Sequence, residues 1–476
     1  MFLKRILFLS CAASIGVGSV YILNSTKSFL LLFGFLLCLV LIKLIVLELL
    51  SKEKDKAYAK IAVLSGFLIF GVLGIVRALF VTKSYLLYDG SFIGSDINVI
   101  MVTAFLWLLA LIFFLLGNSV TVQYKWLDFI PIPNKNTPLN KIIFLCMLLF
   151  SIALWAHILR GGIFFSSLLR NEYGSAKEVN HILEMLEALM IPASLLAIYC
   201  FNKAKKRFIK VSMALIIIYS VIAMFCTGYR GNVLYIVGTG IVFSYLHRIQ
   251  KQKITARFYV ISAMVLTLAM VGMSVQFNFR KHGFDAMQIK IRKIGLPVLK
   301  RRDIPRRFKL LKRWESVDSY ENSMLLIDAI PDHVNFLNGR SFYELIINPI
   351  PRKLWPEKPY GFGLFLAGLK SRIPVQGLAG SLVGESYANF GVLGVIVIFF
   401  LFGIGARAFH QIYIKKRDND FIIMLYSGGL FFLCFLQIRG QILFVNSQFI
   451  YLMLIPIYVG LSMLGINSKE ERIPYV

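Results

Sequence analysis

The chain has 476 residues, 58% hydrophobic and 16% charged, with a mean hydropathy of +0.73. An average soluble domain carries about 25% charge, and a chain this long would need charged surfaces for two or three domains. The composition excludes a soluble enzyme, a disordered chain and a disulfide scaffold, and it reads as an all-α polytopic membrane protein. The net charge is +28, from 52 Lys and Arg against 24 Asp and Glu. In a soluble protein that excess would suggest nucleic acid. In a membrane chain Lys and Arg collect in cytoplasmic loops, so the expected partner is the lipid bilayer and no nucleic acid. The six cysteines, Cys11, Cys38, Cys146, Cys200, Cys226 and Cys434, lie in or beside apolar runs without a CxxC pair. They predict neither a metal site nor a disulfide framework.

In chain order, Lys4-Arg5 before an apolar run has the form of a signal peptide, and Leu9-Ser10-Cys11-Ala12 that of a weak lipoprotein site. Further apolar runs follow at once, so residues 6–23 read as a retained first helix. A membrane helix needs about 20 apolar residues. About twelve runs qualify: 6–23, 28–50, 61–82, 97–117, 141–159, 182–201, 211–227, 232–247, 258–277, 384–408, 421–437 and 442–465. No strand-period alternation competes with them, and no internal repeat is visible. With the N-terminus inside, the inner segments hold 24 Lys and Arg and the short outer loops seven. This asymmetry predicts both termini inside. The expected organisation is residues 1–277 as nine spans with short loops, 278–380 as one large outer-face loop, and 381–476 as three spans and a short cytoplasmic tail.

That large loop carries 19 Lys and Arg against nine Asp and Glu, with 13 basic and two acidic residues in Arg280–Arg313. Long loops translocate regardless of charge, so the topology survives. The stretch KIRKIGLPVLKRRDIPRRFKLLKRW mixes Leu, Ile and Phe with cations. It reads either as an interfacial segment on anionic lipid or as a basic wall around an anionic substrate head group, and the two are compatible. The second half of the loop is aromatic and proline-rich and reads as folded. A major-facilitator transporter would place its long connection inside, between spans six and seven, where this chain has only Asn202–Lys210. A lipid-linked sugar flippase usually lacks a large outer loop, and no repeated pore segment suggests a channel. An outer-face enzyme with a lipid substrate fits better.

Arg160-Gly161-Gly162, Arg230-Gly231 and Arg439-Gly440 end spans five, seven and eleven, all at the outer face. Arg in a last turn complements the helix dipole, and Gly makes the stop. Equally, guanidinium groups bind phosphate oxygens bidentately and would suit a pyrophosphate, with Arg170 able to join. Glu385 sits in GSLVGESYANFGVLG at the outer start of span ten. An ionisable residue there marks a functional site by default, and a carboxylate could take a proton from a substrate hydroxyl. The alternative is a structural ion pair with one of those arginines. His181, Glu184 and Glu187 share a helix face, but an HxxE pair signals a di-metal site only with a second one opposite, and none is present. Asp418-Asn419-Asp420 has the form of a metal-holding DxD, yet it lies in a short inner loop and reads as a solvated turn. Lys43 is expected to pair with Glu48, and Arg77 to snorkel outward. There is no P-loop, GxGxxG, GxSxG or HExxH, so neither cofactor nor metal is expected.

The strongest local signal is Asn338–Gly394, which reads NGRSFYELIINPIPRKLWPEKP and then GSLVGESYANFGVLG. It resembles the bacterial oligosaccharide repeat-unit polymerases, the Wzy-type O-antigen and capsular polysaccharide polymerases. In that family an outer loop ends in a similar G-x-S … I-P-R … W-P-x-K-P stretch, followed by G-E-x-Y-x-N-F-G at a helix start. The turn Tyr229-Arg230-Gly231 is similar to the family's Arg-Gly turn, and Arg352 and Gly363 satisfy an Arg-x10-Gly spacing known in some members. The loop 160–181 lacks that spacing. The resemblance covers the last third closely and the rest by topology.

The resemblance implies a glycosyltransferase of the bacterial inner membrane, acting on its periplasmic face. Donor and acceptor would both be undecaprenyl-pyrophosphate-linked oligosaccharides, without nucleotide sugar or metal. The growing chain would pass to the non-reducing end of a fresh repeat unit. Stabilising the leaving pyrophosphate is then the main electrostatic task. The candidates are Arg160, Arg170, Arg230, Arg280, Arg352 and Arg439, with Arg340 and Lys358 able to contact phosphate or acidic sugars. Glu385 is the first candidate base and His333 a distant second. Trp355, Tyr360 and Tyr387 could stack on sugar faces or simply pack. A chain-length regulator and a flippase are the partners implied. An O-antigen ligase of similar topology and a polysaccharide exporter or flippase are the competing functions. Multi-span transferases that use lipid-phosphate sugars carry an acid in the first outer loop, which Asn24-Ser25-Thr26-Lys27 lacks.

Overall fold

The computed structural model describes residues 26–51, 56–80, 85–86, 92–93, 97–120, 138–159, 181–226, 230–251, 256–265, 267–268, 318–348, 350, 354–359, 361–370 and 378–464. In chain order the helices are α1 (Thr26–Leu49), α2 (Tyr58–Leu79), α3 (Ile97–Ser119), α4 (Leu139–Leu159), α5 (His181–Glu187), α6 (Met190–Lys203), α7 (Arg207–Cys226) and α8 (Arg230–Lys251). Then come α9 (Ala256–Val265), α10 (Asp318–Ala329), α11 (Arg340–Ile347), α12 (Phe362–Lys370), α13 (Ser381–Lys416) and α14 (Asp420–Arg439). The last, α15, runs through Ile442–Phe449, Ile450–Leu454 and Ile455–Met463. Among the described residues the only strands are Tyr85–Leu86 and Phe92–Ile93, a two-residue antiparallel pairing. Helices dominate because a backbone in hydrocarbon must satisfy its own hydrogen bonds.

Eight helices among the described residues are long and apolar enough to cross a membrane: α1, α2, α3, α4, Met185–Lys203, α7, α13 and α14. They coincide with the expected runs 28–50, 61–82, 97–117, 141–159, 182–201, 211–227, 384–408 and 421–437. The expected run 6–23 lies outside the described residues, as does most of 258–277 beyond α9. The chain is therefore an all-helical, multi-span membrane protein.

Contacts divide it into two compact units. The first comprises residues 1–123, 302–411 and 432–447. Its core is aromatic. Trp107 of α3 lies 5.8 Å from Phe67 of α2 and 5.8 Å from Tyr320 of α10, and Phe67 lies 5.8 Å from Phe399 of α13. The α3–α13 contact is close because Gly117 has no Cβ, which would fall 2.0 Å from the Phe400 carbonyl oxygen. Small residues at such crossings let membrane helices approach. Helix α10, from the expected outer loop, is packed into this unit with Tyr320, Asn322 and Ser323 buried. The second unit comprises residues 124–301, 412–431 and 448–476. There α6 packs between α4 and α7, and α8 against α14.

Two sequence expectations about charged side chains are corrected. Arg77 does not snorkel. It is 1% exposed and is ion-paired with Asp318 and with Glu321, the latter at 3.1 Å from Nε to Oε1. Asp420 is not part of a solvated turn either. It is buried, pairs with Lys203, and meets His247 Nδ1 at 3.0 Å, while Asn419 caps α14 by accepting from Phe421 N. A buried carboxylate needs partners, and α6 and α8 supply them. Glu48 lies 2.5 Å from Lys60 Nζ.

Candidate functional site

The two stretches that carry the family resemblance dock on one another. Helix α13 opens at Ser381, whose Oγ accepts the Gly384 N–H at 3.0 Å as an N-terminal cap. Nine residues on the helix breaks: Phe390 has φ −140° and ψ 18°, and Gly391 has φ 63° and ψ −149°. The conformation of Gly391 is open essentially to glycine alone. The carbonyls before the break receive the backbone of the segment before α11, with Leu337 N donating to Ala388 O at 2.9 Å and Asn338 N to Asn389 O at 3.2 Å.

The Asn389 side chain completes the joint. Its Oδ1 accepts Gly339 N at 3.0 Å, and its Nδ2 donates to Ser341 Oγ and to the Glu385 carbonyl, both at 2.8 Å. Gly339, at φ 85°, lies against Phe390, where an added Cβ would sit 3.1 Å from Cζ. Phe342 stacks on Phe390 with ring centroids 6.0 Å apart. Gly339, Ser341, Glu385, Asn389 and Gly391, which the sequence offers as two separate motifs, are thus one construction.

Glu385 lies one turn before Asn389 and is fully buried. Its Oε2 accepts the Ile442 N–H at 2.7 Å, and its Oε1 has no hydrogen bond among the described residues. The Ser341 hydroxyl and the Glu344 carboxylate are near enough to act on it. Of the arginines expected as alternative ion-pair partners, Arg160 and Arg170 lie outside the described residues. Glu344 is itself buried. Its Oε2 accepts Phe362 N at 3.0 Å, and its Oε1 lies 3.5 Å from Arg340 Nε.

Opposite Glu385 the chain turns from α14 to α15. The helix ends at Arg439, Gly440 is extended (φ −101°, ψ 172°), and the next helix starts at Ile442. Gln437, 3% exposed, accepts from Asn446 Nδ2 through Oε1 at 2.9 Å, and its Nε2 has no partner. Gln441 Oε1 and Ser386 Oγ are likewise buried without a hydrogen bond among the described residues. Sequence reasoning missed Ser341, Glu344, Asn389, Gln437 and Gln441. The available signal was a polar side chain inside or beside an apolar run.

The other sequence candidates are placed as follows. Tyr387, half-buried, donates its hydroxyl to Ile330 O at 3.2 Å and meets Phe336 edge-on. Lys358 donates to Asn348 O at 2.7 Å and Ile350 O at 3.0 Å, tying the loop ends together. Arg340 is exposed at the first turn of α11, and His333 is exposed in the turn after α10. Trp355 is half-buried. Arg439 is in the last turn of α14, as expected. Arg230 is not at the end of α7, which closes at Cys226; it is the first residue of α8. Arg160, Arg170, Arg280, Arg352 and Tyr360 lie outside the described residues. In the second unit Glu187 is buried and its Oε1 lies 2.7 Å from His157 Nδ1. Among the described residues no group of His, Cys, Asp and Glu could hold a metal.

The family described as O-antigen polysaccharide polymerase Wzy matches residues 6–466, nearly the whole chain. No curated protein and no solved structure matches. The stretch 338–391, with its interlocked loop and broken helix, falls within the match, and the chain belongs to the O-antigen polysaccharide polymerase family, Wzy.

Proposed function

We propose that this protein is a membrane glycosyltransferase that joins undecaprenyl-pyrophosphate-linked oligosaccharide repeat units into O-antigen, capsule or exopolysaccharide. It would do so at the periplasmic face of the bacterial inner membrane, with about twelve spans and both termini inside. The observation that carries the reading is Glu385: a fully buried carboxylate with one oxygen held by the Ile442 N–H and the Ser341 hydroxyl nearby, inside the stretch that resembles the family. In the proposed reaction Glu385 takes the proton of an acceptor sugar hydroxyl. The hydroxyl oxygen bonds to the donor's anomeric carbon, the bond from that carbon to the phosphate oxygen breaks, and undecaprenyl pyrophosphate leaves.

The leaving charge needs cations, and Arg160, Arg170, Arg230, Arg280, Arg340, Arg352, Lys358 and Arg439 are the candidates. Tyr387 is the candidate sugar contact, and His333 is the second candidate base. A chain-length regulator and a flippase are the expected partners. The test is to replace the chromosomal gene with Glu385→Gln and size the undecaprenyl-linked saccharides. Accumulation of single repeat units, with the protein still in the membrane, supports the reading. Wild-type polymer removes Glu385 from the mechanism. Long lipid-linked chains that never reach a final acceptor identify a ligase instead.

A further inference from the structure

We propose that Gln437 and Gln441, together with the open oxygen of Glu385, form the subsite that recognises hydroxyl groups on the acceptor's terminal sugar. The inference rests on the polymerase reading above and deepens it: the two glutamines determine acceptor specificity.

Three polar atoms, Glu385 Oε1, Gln441 Oε1 and Gln437 Nε2, are buried without a hydrogen bond among the described residues. They share one place in the fold. Ile442 N bonds Glu385 Oε2, which sets the neighbouring Gln441 at the same junction. Gln437 precedes the break at Gly440 and is fixed by its bond to Asn446 just after it. A buried polar atom left unpaired costs about 1–3 kcal/mol, so three at one chain break would be stabilised by a ligand with matching donors and acceptors.

The chemistry of the set selects the partner. Two of the atoms accept and one donates. Neighbouring sugar hydroxyls supply two O–H donors and an acceptor lone pair, which matches all three. An ionised pyrophosphate diester supplies no donor for the two oxygens and would be repelled by the Glu385 carboxylate. A lipid tail supplies neither donor nor acceptor. A cation would suit the two oxygens and be opposed by the Gln437 N–H group. The carboxylate that would remove one hydroxyl proton is thus bonded to the chain junction that carries both amides, which are able to hold a neighbouring hydroxyl.

The test uses the full-length protein in detergent with lipid-linked single repeat units as substrate. The acceptor-side probe is the same oligosaccharide released from its lipid pyrophosphate. It keeps the terminal sugar and so competes as acceptor, and it has no leaving group with which to donate. For Gln441→Leu and Gln437→Leu, the concentration of released oligosaccharide needed for half-inhibition should rise about tenfold, the equivalent of one lost hydrogen bond. The loss should fall on KM rather than kcat. Unchanged half-inhibition in both variants overturns the subsite, and a lowered melting temperature alongside it identifies the glutamines as braces of the helix break. Failure of wild-type protein to extend the lipid-linked units would instead overturn the polymerase reading itself.

Discussion

Asn389 donates to Ser341 Oγ at 2.8 Å across 48 residues of sequence, and through this bond the segment that opens α11 is fastened to the long apolar helix α13. The same side chain holds Gly339 N and the Glu385 carbonyl. One residue thus sets the position of the loop and stabilises the turn of helix that carries the candidate base. The break at Gly391 makes this possible, since an unbroken helix would have kept the Ala388 and Asn389 carbonyls for its own ladder.

Asn389→Leu removes three hydrogen bonds and leaves buried donors and acceptors unpaired. The expected destabilisation is about 2–3 kcal/mol, read as a lowered melting temperature in detergent, together with loss of polymer. Asn389→Asp keeps an acceptor for Gly339 N but sets a carboxylate against the Glu385 carbonyl, so an intermediate loss is expected. Wild-type stability in Asn389→Leu would show that the loop is held by other contacts.

The kink can be tested against a control on the same helix. Gly391→Ala forces a side chain into a backbone region that L-residues avoid, at about 1–3 kcal/mol. Gly405 lies in the regular, exposed part of α13, where an added Cβ meets nothing within 4 Å. Gly405→Ala should therefore stabilise by about 0.5–1 kcal/mol. Thermal melts of the two variants should move in opposite directions; a shift of the same sign would mean that Gly391 is not held in its broken conformation.

Most of the membrane-spanning framework was legible because apolar runs of span length have few alternatives to helix. Glu385 was legible for the same reason, as a charge where hydrocarbon is expected. Asn389 was printed in the same motif, but its partners lie 48 and 50 residues away, and pairing across that distance follows from packing alone. Gly231 reads as a stop signal after Arg230, whereas both residues belong to α8. Arg77 and Asp420 were read from their neighbours in sequence. Their true partners come from α10 in one case and from α6 and α8 in the other.

His157 and Glu187 form a buried pair between α4 and α5, with Tyr219 edge-on to the imidazole. His157→Phe leaves the Glu187 carboxyl without its 2.7 Å partner and should cost about 2–3 kcal/mol. Adding Glu187→Leu should recover most of that loss, since replacing both members of a buried polar pair with apolar groups is often neutral. A double-mutant cycle on melting free energies measures the coupling; a value near zero would mean that the two side chains do not interact.

Arg77 ties the membrane span α2 to α10. Its guanidinium meets Asp318, whose side chain is 35% exposed, and Glu321, whose side chain is 7% exposed. Removing the cation leaves Glu321 buried beside a vacant position, so Arg77→Met should destabilise by about 3–5 kcal/mol. Combining it with Asp318→Asn and Glu321→Gln should restore most of the melting temperature. The functional consequence follows from α10 itself. Ser323, on that helix, bonds Ser381 Oγ at 2.6 Å and the Gly380 carbonyl at 3.3 Å, and Ser381 caps the helix that carries Glu385. A shift of α10 would therefore reach the candidate base without any contact between Arg77 and substrate. The single variant should shorten or abolish polymer, and the triple variant should recover polymer along with stability. Recovery of the melting temperature without polymer would mean that the charges of this cluster act on the reaction directly rather than by holding α10 in place.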